Sequence, residues 1–161
     1  MNKVNITAED IPLPGWSGKI CTFALKVLEK INRNNWELSI LLCGEKTITQ
    51  LNSKYREKPE PTDILSFNLG ETIQENGKTV FFPGDIVISL DNMRENAGYF
   101  KIPEDEELRR LIIHGILHLD GMEHETNDKD EAMLRLQEEI LNSLKNEQIL
   151  PEGKIEDSFS A

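Results

Sequence analysis

The chain is poor in cysteine, in aromatic residues and in positive charge. Cys21 and Cys43 are its two cysteines among 161 residues. They form no C-x-x-C pair and no dense framework, which excludes a disulfide scaffold and points to a reducing, cytosolic setting. No apolar run approaches the ~20 residues that cross a membrane. The opening MNKVNITAEDIPLPG has neither the basic start nor the apolar stretch of a secretory signal. Basic residues are outnumbered 18 to 29, a net charge of −11. Affinity for phosphates rests on lysine and arginine, so this deficit speaks against a broad, unspecific grip on nucleic acid. Histidine is scarce too, with three in the whole chain.

What is present describes a folded domain. A hydrophobic content of 38% is too high for a disordered chain, and 161 residues can bury a core without covalent staples. The negative charge is unevenly spread. Residues 1–100 carry 11 basic and 13 acidic side chains, whereas residues 101–161 carry 7 and 16. The first part is therefore near balance, at −2, and the last part holds −9. Between Gly44 and Lys58 the balance is locally positive, because Lys46, Lys54, Arg56 and Lys58 outnumber Glu45 and Glu57.

Periodicity predicts strands interleaved with helices and no break into two domains. Val4–Thr7 reads as a short strand. Ser17 is placed to cap a helix whose stripe is Ile20, Ala24, Val27, Leu28 and Ile31. Trp36, Leu38, Ile40 and Leu42 alternate with polar residues, as a half-buried strand does. A second helix starts at Gly44 and carries Ile48, Leu51 and Tyr55. Ile64–Phe67 is a short strand, and residues 68–83 read as a polar excursion with a turn at Asn76-Gly77. The continuous run Ile86-Val87-Ile88 suits a strand covered on both faces. Helices follow over about 91–99 and from Pro103 to about Gly121. A last helix is capped by Asn127 with an acidic first turn, and carries Met133, Leu136, Ile140 and Leu144. Residues 150–161 lack periodicity and read as a disordered tail after a domain spanning 1–149.

All three histidines fall within His114-Gly115-Ile116-Leu117-His118-Leu119-Asp120-Gly121-Met122-Glu123-His124. His114 and His118 are one helical turn apart on the same face. Gly121 can end the helix in a left-handed conformation and turn the chain so that His124 joins them. Three imidazoles leave a fourth position open, the pattern of catalytic rather than structural zinc. A lone histidine is usually an ordinary core or surface residue, but all of a chain's histidines at this spacing, on a helix without charge from Leu111 to Leu119, point to a shared metal. Spacing and glycine match the H-E-x-x-H-x-x-G-x-x-H zinc helix of metzincin proteases. The general-base glutamate does not, because Gly115 stands in its place.

The same segment, HGILHLDGMEH, resembles the H-G-x-L-H-L-x-G-x-D-H signature of the YbeY-type bacterial endoribonucleases, or rRNA maturation factors. Two upstream blocks agree. Leu51-Asn52-Ser53-Lys54-Tyr55-Arg56 followed by Pro61-Thr62-Asp63-Ile64-Leu65-Ser66-Phe67 is similar to L-N-x-x-Y-R-G-K-x-x-P-T-D-V-L-S-F, and Gly84-Asp85-Ile86-Val87-Ile88 to G-D-I-x-I. The resemblance implies an α+β fold: a single compact domain with a small central, mostly parallel sheet, about five helices and the metal helix packed on the sheet. It implies one divalent metal, zinc, held by His114, His118 and His124. It further implies metal-dependent cleavage of single-stranded RNA in 3′-end maturation of small-subunit rRNA and in ribosome quality control. The partners it implies are rRNA, the small ribosomal subunit and its assembly factors.

In that scheme Arg56 and His114 are the catalytic positions, Arg56 matching the family's functional arginine and suited to clamp a phosphate bidentately. Taken by itself, Arg56 reads first as a solvated arginine at a helix end, and the family match turns the reading to function. Glu123 replaces the usual aspartate, and Glu57 replaces the usual glycine beside Arg56. Asp85 is either a residue orienting a histidine or a polar strand start. Thr62, Asp63 and Ser66 are expected to shape the cleft, Cys21 and Cys43 to be buried thiols, and Glu104–Glu107 to be the favourable first turn of the metal helix. Two other readings stand beside the nuclease: a zinc metalloprotease-like hydrolase, and a non-catalytic, metal-stabilised ribosome-assembly factor.

Overall fold

A computed structural model describes residues 1–129 and 131–151. Four strands and five helices alternate in the order β1 (Lys3–Glu9), α1 (Ser17–Lys30), β2 (Glu37–Cys43), α2 (Glu45–Arg56), β3 (Ile64–Glu75), β4 (Lys78–Ser89), α3 (Leu90–Phe100), α4 (Glu104–Leu119) and α5 (Ala132–Ser143). They form one α+β domain. The sheet order is β1-β2-β4-β3, with β1 parallel to β2, β2 parallel to β4, and β3 antiparallel to β4. No helix is long and apolar enough to cross a membrane among the described residues.

The two faces of the sheet are covered unequally. On one face Leu38, Ile40, Leu42, Ile86 and Ile88 pack with Ile20, Ala24, Val27 and Leu28 of α1 and with Leu108, Ile112, Ile113, Ile116 and Leu117 of α4. Met133, Ile140 and Leu141 of α5 close the same core. On the other face α2 supplies Ile48 to a small cluster with Cys43, Leu65 and Val87. Ile86, Val87 and Ile88 are at most 3% exposed, as the continuous apolar run predicts. Full burial of such a side chain contributes about 1.5–3 kcal/mol.

Several local expectations need correction. Ser17 is the first residue of α1 rather than its cap; Trp16 holds the cap position, and its side chain does not cap the helix. Residues 68–83 are not a loop. They continue β3 and β4 as a two-stranded ribbon, with register shifting between Asn68 and Glu71. Its side chains are mostly exposed, so neither face supplies the apolar alternation by which strands are read. The Asn76-Gly77 turn is where expected, at φ of 49° and 77°. α5 starts at Ala132 with Glu131 as its cap, not at Asn127, and has no acidic residue in its first turn. The Glu131 carboxylate reaches back to accept from the Glu125 N–H at 2.8 Å, pinning the turn that carries the last histidine. Leu150 is buried and its N–H donates to Asp105 at 2.8 Å. The rest of the expected tail, from residue 152, lies outside the described residues.

Candidate metal centre

α4 is the central helix, and its buried faces fix the direction of its polar one. Leu111, Ile112, Ile113, Gly115, Ile116 and Leu117 are buried, which leaves His114 and His118 at the edge, half-buried, beside β3. Asp120 ends the helix, Gly121 turns the chain at φ 93°, and His124 returns to the other two. One ring nitrogen from each of His114, His118 and His124 lies within 4.8 Å of those of the other two. The sequence spacing therefore translates into convergence.

Ring orientation identifies the convergent atoms. His114 Nδ1 is 2.6 Å from Gln137 Oε1, His118 Nδ1 is 3.0 Å from the Met122 carbonyl, and His124 Nδ1 is 2.8 Å from the Thr126 carbonyl. Each of these partners is an oxygen that accepts, so each Nδ1 carries the proton and each Nε2 presents a lone pair. His114 Nε2 and His118 Nε2 are 3.0 Å apart. Two lone pairs at that distance repel unless a cation lies between them. Tetrahedral zinc, at about 2.0–2.1 Å from nitrogen, spaces its donors about 3.3 Å apart. The donor set thus fits one divalent metal with nitrogen preference.

Burial disfavours the charged form of His114 and His118. It lowers the His114 pKa below the ordinary imidazole value, reinforced by His118 and His124 and opposed by the Gln137 hydrogen bond. His118 is lowered first by burial and then by the charges of His124 and Arg56, against the Met122 carbonyl. Both shifts favour the unprotonated form that a metal requires.

The three histidines open into a cleft of about 420 Å³ whose other walls are Arg56, Ile64, Ser66, Asn68 and Glu123. Arg56 ends α2 and is exposed there. Glu57 caps that helix in the left-handed conformation, at φ 57°, which is where a glycine suits best. Ser66 and Asn68 come from the same face of β3, two residues apart. Asn68 was not signalled by sequence, because it sits at the bulge where the excursion was expected. Asp63 is used structurally: it accepts from Asn96 Nδ2 at 2.8 Å, and its carbonyl accepts from Ser89 N–H at 2.9 Å.

Neither alternative for Asp85 holds, because it lies within β4 rather than at its start. It does not reach the histidines. It lines a different cleft, of about 460 Å³, on the α2 side of the sheet with Thr7, Ser39, Tyr55 and Phe67. Neither cysteine approaches the metal centre. Cys43 is buried, and burial, with Asp10, Glu9 and Asp91 nearby, pushes its thiol up to about 12. Cys21 is half-buried. The acidic start of α4 is more than a helix-dipole feature. Asp105 is buried, pairs with Arg109 at 2.8 Å and accepts the N–H groups of Ile149 and Leu150.

Comparison with known proteins agrees over nearly the whole chain. Residues 4–145 match the family described as Endoribonuclease YbeY. A Treponema denticola protein of that name is 44% identical over 151 residues, 92% of this chain and 97% of the relative. One from Borreliella afzelii is 45% identical over 126 residues, 76% and 83% of the two chains. A Thermotoga maritima protein solved in solution superposes with a TM-score of 0.62 at 28% identity, over 89% of this chain and 90% of the other.

Proposed function

The chain belongs to the Endoribonuclease YbeY family, and from that membership we propose that its histidine cleft cuts single-stranded RNA with one bound zinc ion. The observation that carries the proposal is the convergence of one ring nitrogen from each of three histidines beside an exposed arginine in one open cleft. His114, His118 and His124 hold the metal. A divalent metal there supplies Lewis-acid activation of a phosphodiester and of water.

The chain's own groups position the RNA. The Arg56 guanidinium takes two non-bridging oxygens of the scissile phosphate and stabilises the charge that develops on them. Ser66 Oγ and the Asn68 amide offer donors and acceptors along the β3 wall, suited to a ribose hydroxyl and to an adjacent phosphate. The cleft holds about 420 Å³ and the chain as a whole carries a net charge of −11, so RNA is touched at a few nucleotides. rRNA delivered by the small ribosomal subunit and its assembly factors, for 3′-end maturation, fits that limited contact. Two free thiols fit a cytoplasmic setting.

Gly115 decides against the protease reading. A Cβ at this position would meet Ile86 Cδ1 at 2.9 Å and Ile64 Cδ1 at 3.1 Å. The position faces the sheet, not the cleft, so it offers no place for a zincin general base.

The test is cleavage of single-stranded and duplex RNA by wild type, His118→Ala and Arg56→Ala purified alike, with elemental analysis, chelation and zinc restoration. Cleavage of single strands that disappears with chelator, returns with zinc and is absent from both variants supports the proposal. Equal cleavage by His118→Ala means a contaminating nuclease and overturns it. Zinc bound without any cleavage leaves the assembly-factor reading. Casein digestion, expected to be absent, checks the protease reading.

A further inference from the structure

We infer that Gln137 is a positioning residue for the metal centre: through it, Arg110 dictates which nitrogen of His114 is free to bind metal. The inference rests on His114 being a metal ligand, and it concerns residues beyond the motif blocks that end at His124.

Gln137 lies on α5, across from α4, and is 6% exposed. It occupies the apolar stripe of its helix, between Met133 and Leu141, both buried. A glutamine in that stripe is costly to bury unless both ends of its amide are satisfied. Both are. Its Oε1 meets His114 Nδ1 at 2.6 Å, and its Nε2 donates to Glu138 Oε2 at 3.1 Å.

The sense of this chain is fixed at its far end. Arg110 only donates, and it grips Glu138 with Nε on Oε2 at 3.0 Å and Nη2 on Oε1 at 3.0 Å. Ionised Glu138 only accepts, so the Gln137 NH₂ must face it and the Gln137 carbonyl must face His114. The carbonyl can only accept, so the His114 proton sits on Nδ1 and the lone pair on Nε2. Reversing the Gln137 amide would put an acceptor against the Glu138 carboxylate. Arg110 is anchored in turn by Glu106 at 3.2 Å and Glu107 at 3.7 Å. Arg110 and His114 are one turn apart on α4, so the path leaves that helix, crosses two residues of α5 and returns to the same face.

His118 and His124 take their proton partners from carbonyls of the turn after α4. His114 is the ligand whose partner is a side chain from another element. Its orientation depends on α5 docking, and it is the one ligand whose tautomer a side-chain substitution can change.

The experiment uses Gln137→Met, which keeps length and removes both hydrogen bonds, and Gln137→Glu, which keeps an acceptor toward His114. Glu138→Ala, at a half-exposed side chain, probes the relay without touching the core. Zinc affinity is read by chelator competition, and the His114 tautomer by nitrogen-15 NMR of the metal-free protein. Gln137→Met should weaken zinc binding about 10–100-fold, the range for loss of a group that orients a metal-bound histidine. It should also shift metal-free His114 away from the Nδ1–H form. Gln137→Glu keeps the acceptor toward His114 but sets a second carboxylate against Glu138, so it should restore the Nδ1–H form and part of the affinity, and Glu138→Ala should fall between. Should Gln137→Met fail to fold, Glu138→Ala and Gln137→Glu decide by the same two readouts. Unchanged tautomer and zinc affinity within twofold of wild type in Gln137→Met, or in Glu138→Ala where Gln137→Met does not fold, would overturn the inference. Absence of zinc binding by wild type would instead remove the metal-centre reading, while the tautomer measurement still tests the hydrogen-bond relay.

Discussion

Gly115 and Ile86 are in contact at the point where α4 crosses β4, and a Cβ on the glycine would lie 2.9 Å from Ile86 Cδ1. The helix can approach the sheet this closely because residue 115 has no side chain, and that approach sets where His114 and His118 emerge. Gly115→Ala gains helix propensity, about 1 kcal/mol, and loses packing as Ile86 and Ile64 shift. Gly115→Glu has no such balance, since it drives a carboxylate into an apolar contact. The expected loss on urea unfolding is near zero to about 1.5 kcal/mol for alanine and above about 3 kcal/mol for glutamate. Restoring the zincin motif therefore destabilises the fold and yields no casein cleavage.

Glu57 holds a left-handed backbone conformation immediately after Arg56. Glu57→Gly removes the Cβ conflict and should stabilise the protein by roughly 0.5–1 kcal/mol. Glu57→Gln removes the charge but not the conflict. Measured together by urea unfolding and by binding to a non-cleavable single-stranded RNA, the pair separates two effects. Stability should rise with glycine alone, whereas RNA affinity should rise with both.

Asp105 joins the start of α4 to the chain's last described residues. One oxygen accepts from both Ile149 and Leu150, each at 2.8 Å, while the other pairs with Arg109. Asp105→Ala leaves Nε of buried Arg109 and two buried N–H groups without their acceptor, the Arg109 Nη1 bonds to the Leu144 and Lys145 carbonyls remaining. The expected cost is about 3–5 kcal/mol, and native-state hydrogen exchange should show protection lost first at Ile149 and Leu150.

The parts of this molecule legible in sequence are those governed by local periodicity. The stripe Ile20-Ala24-Val27-Leu28, the run Ile86-Val87-Ile88 and the spacing of His114, His118 and His124 all appear in space as they do along the chain. The β3–β4 ribbon was hidden because a strand pair exposed on both faces carries no apolar alternation. The role of Asp105 was hidden because an acidic first turn satisfies the helix dipole whether or not one carboxylate is buried. Gln137 left one mark, a polar residue inside the apolar stripe of α5, but its partner is 23 residues upstream and only the packing of α5 on α4 reveals it.

The histidines make the metal-free protein sensitive to acid. In the unfolded chain their pKa is about 6.5, whereas burial lowers His114 and His118 in the folded state. Between the two values the unfolded chain binds more protons, so stability rises with pH there. The contribution is complete above about pH 6.5 and is lost as pH falls through the lowered folded values. Metal binds the unprotonated rings of the folded state alone, which adds stability at neutral pH and steepens the loss on acidification. Urea unfolding from pH 7.5 to 5.5 checks this, with wild type measured after chelation and after zinc addition. His118→Ala should show a shallower slope without metal and no zinc-dependent gain, and Glu107, whose carboxyl is raised by burial, contributes equally to both proteins and cancels in their difference. An identical slope in wild type and His118→Ala would mean that His118 titrates alike in the folded and unfolded chains.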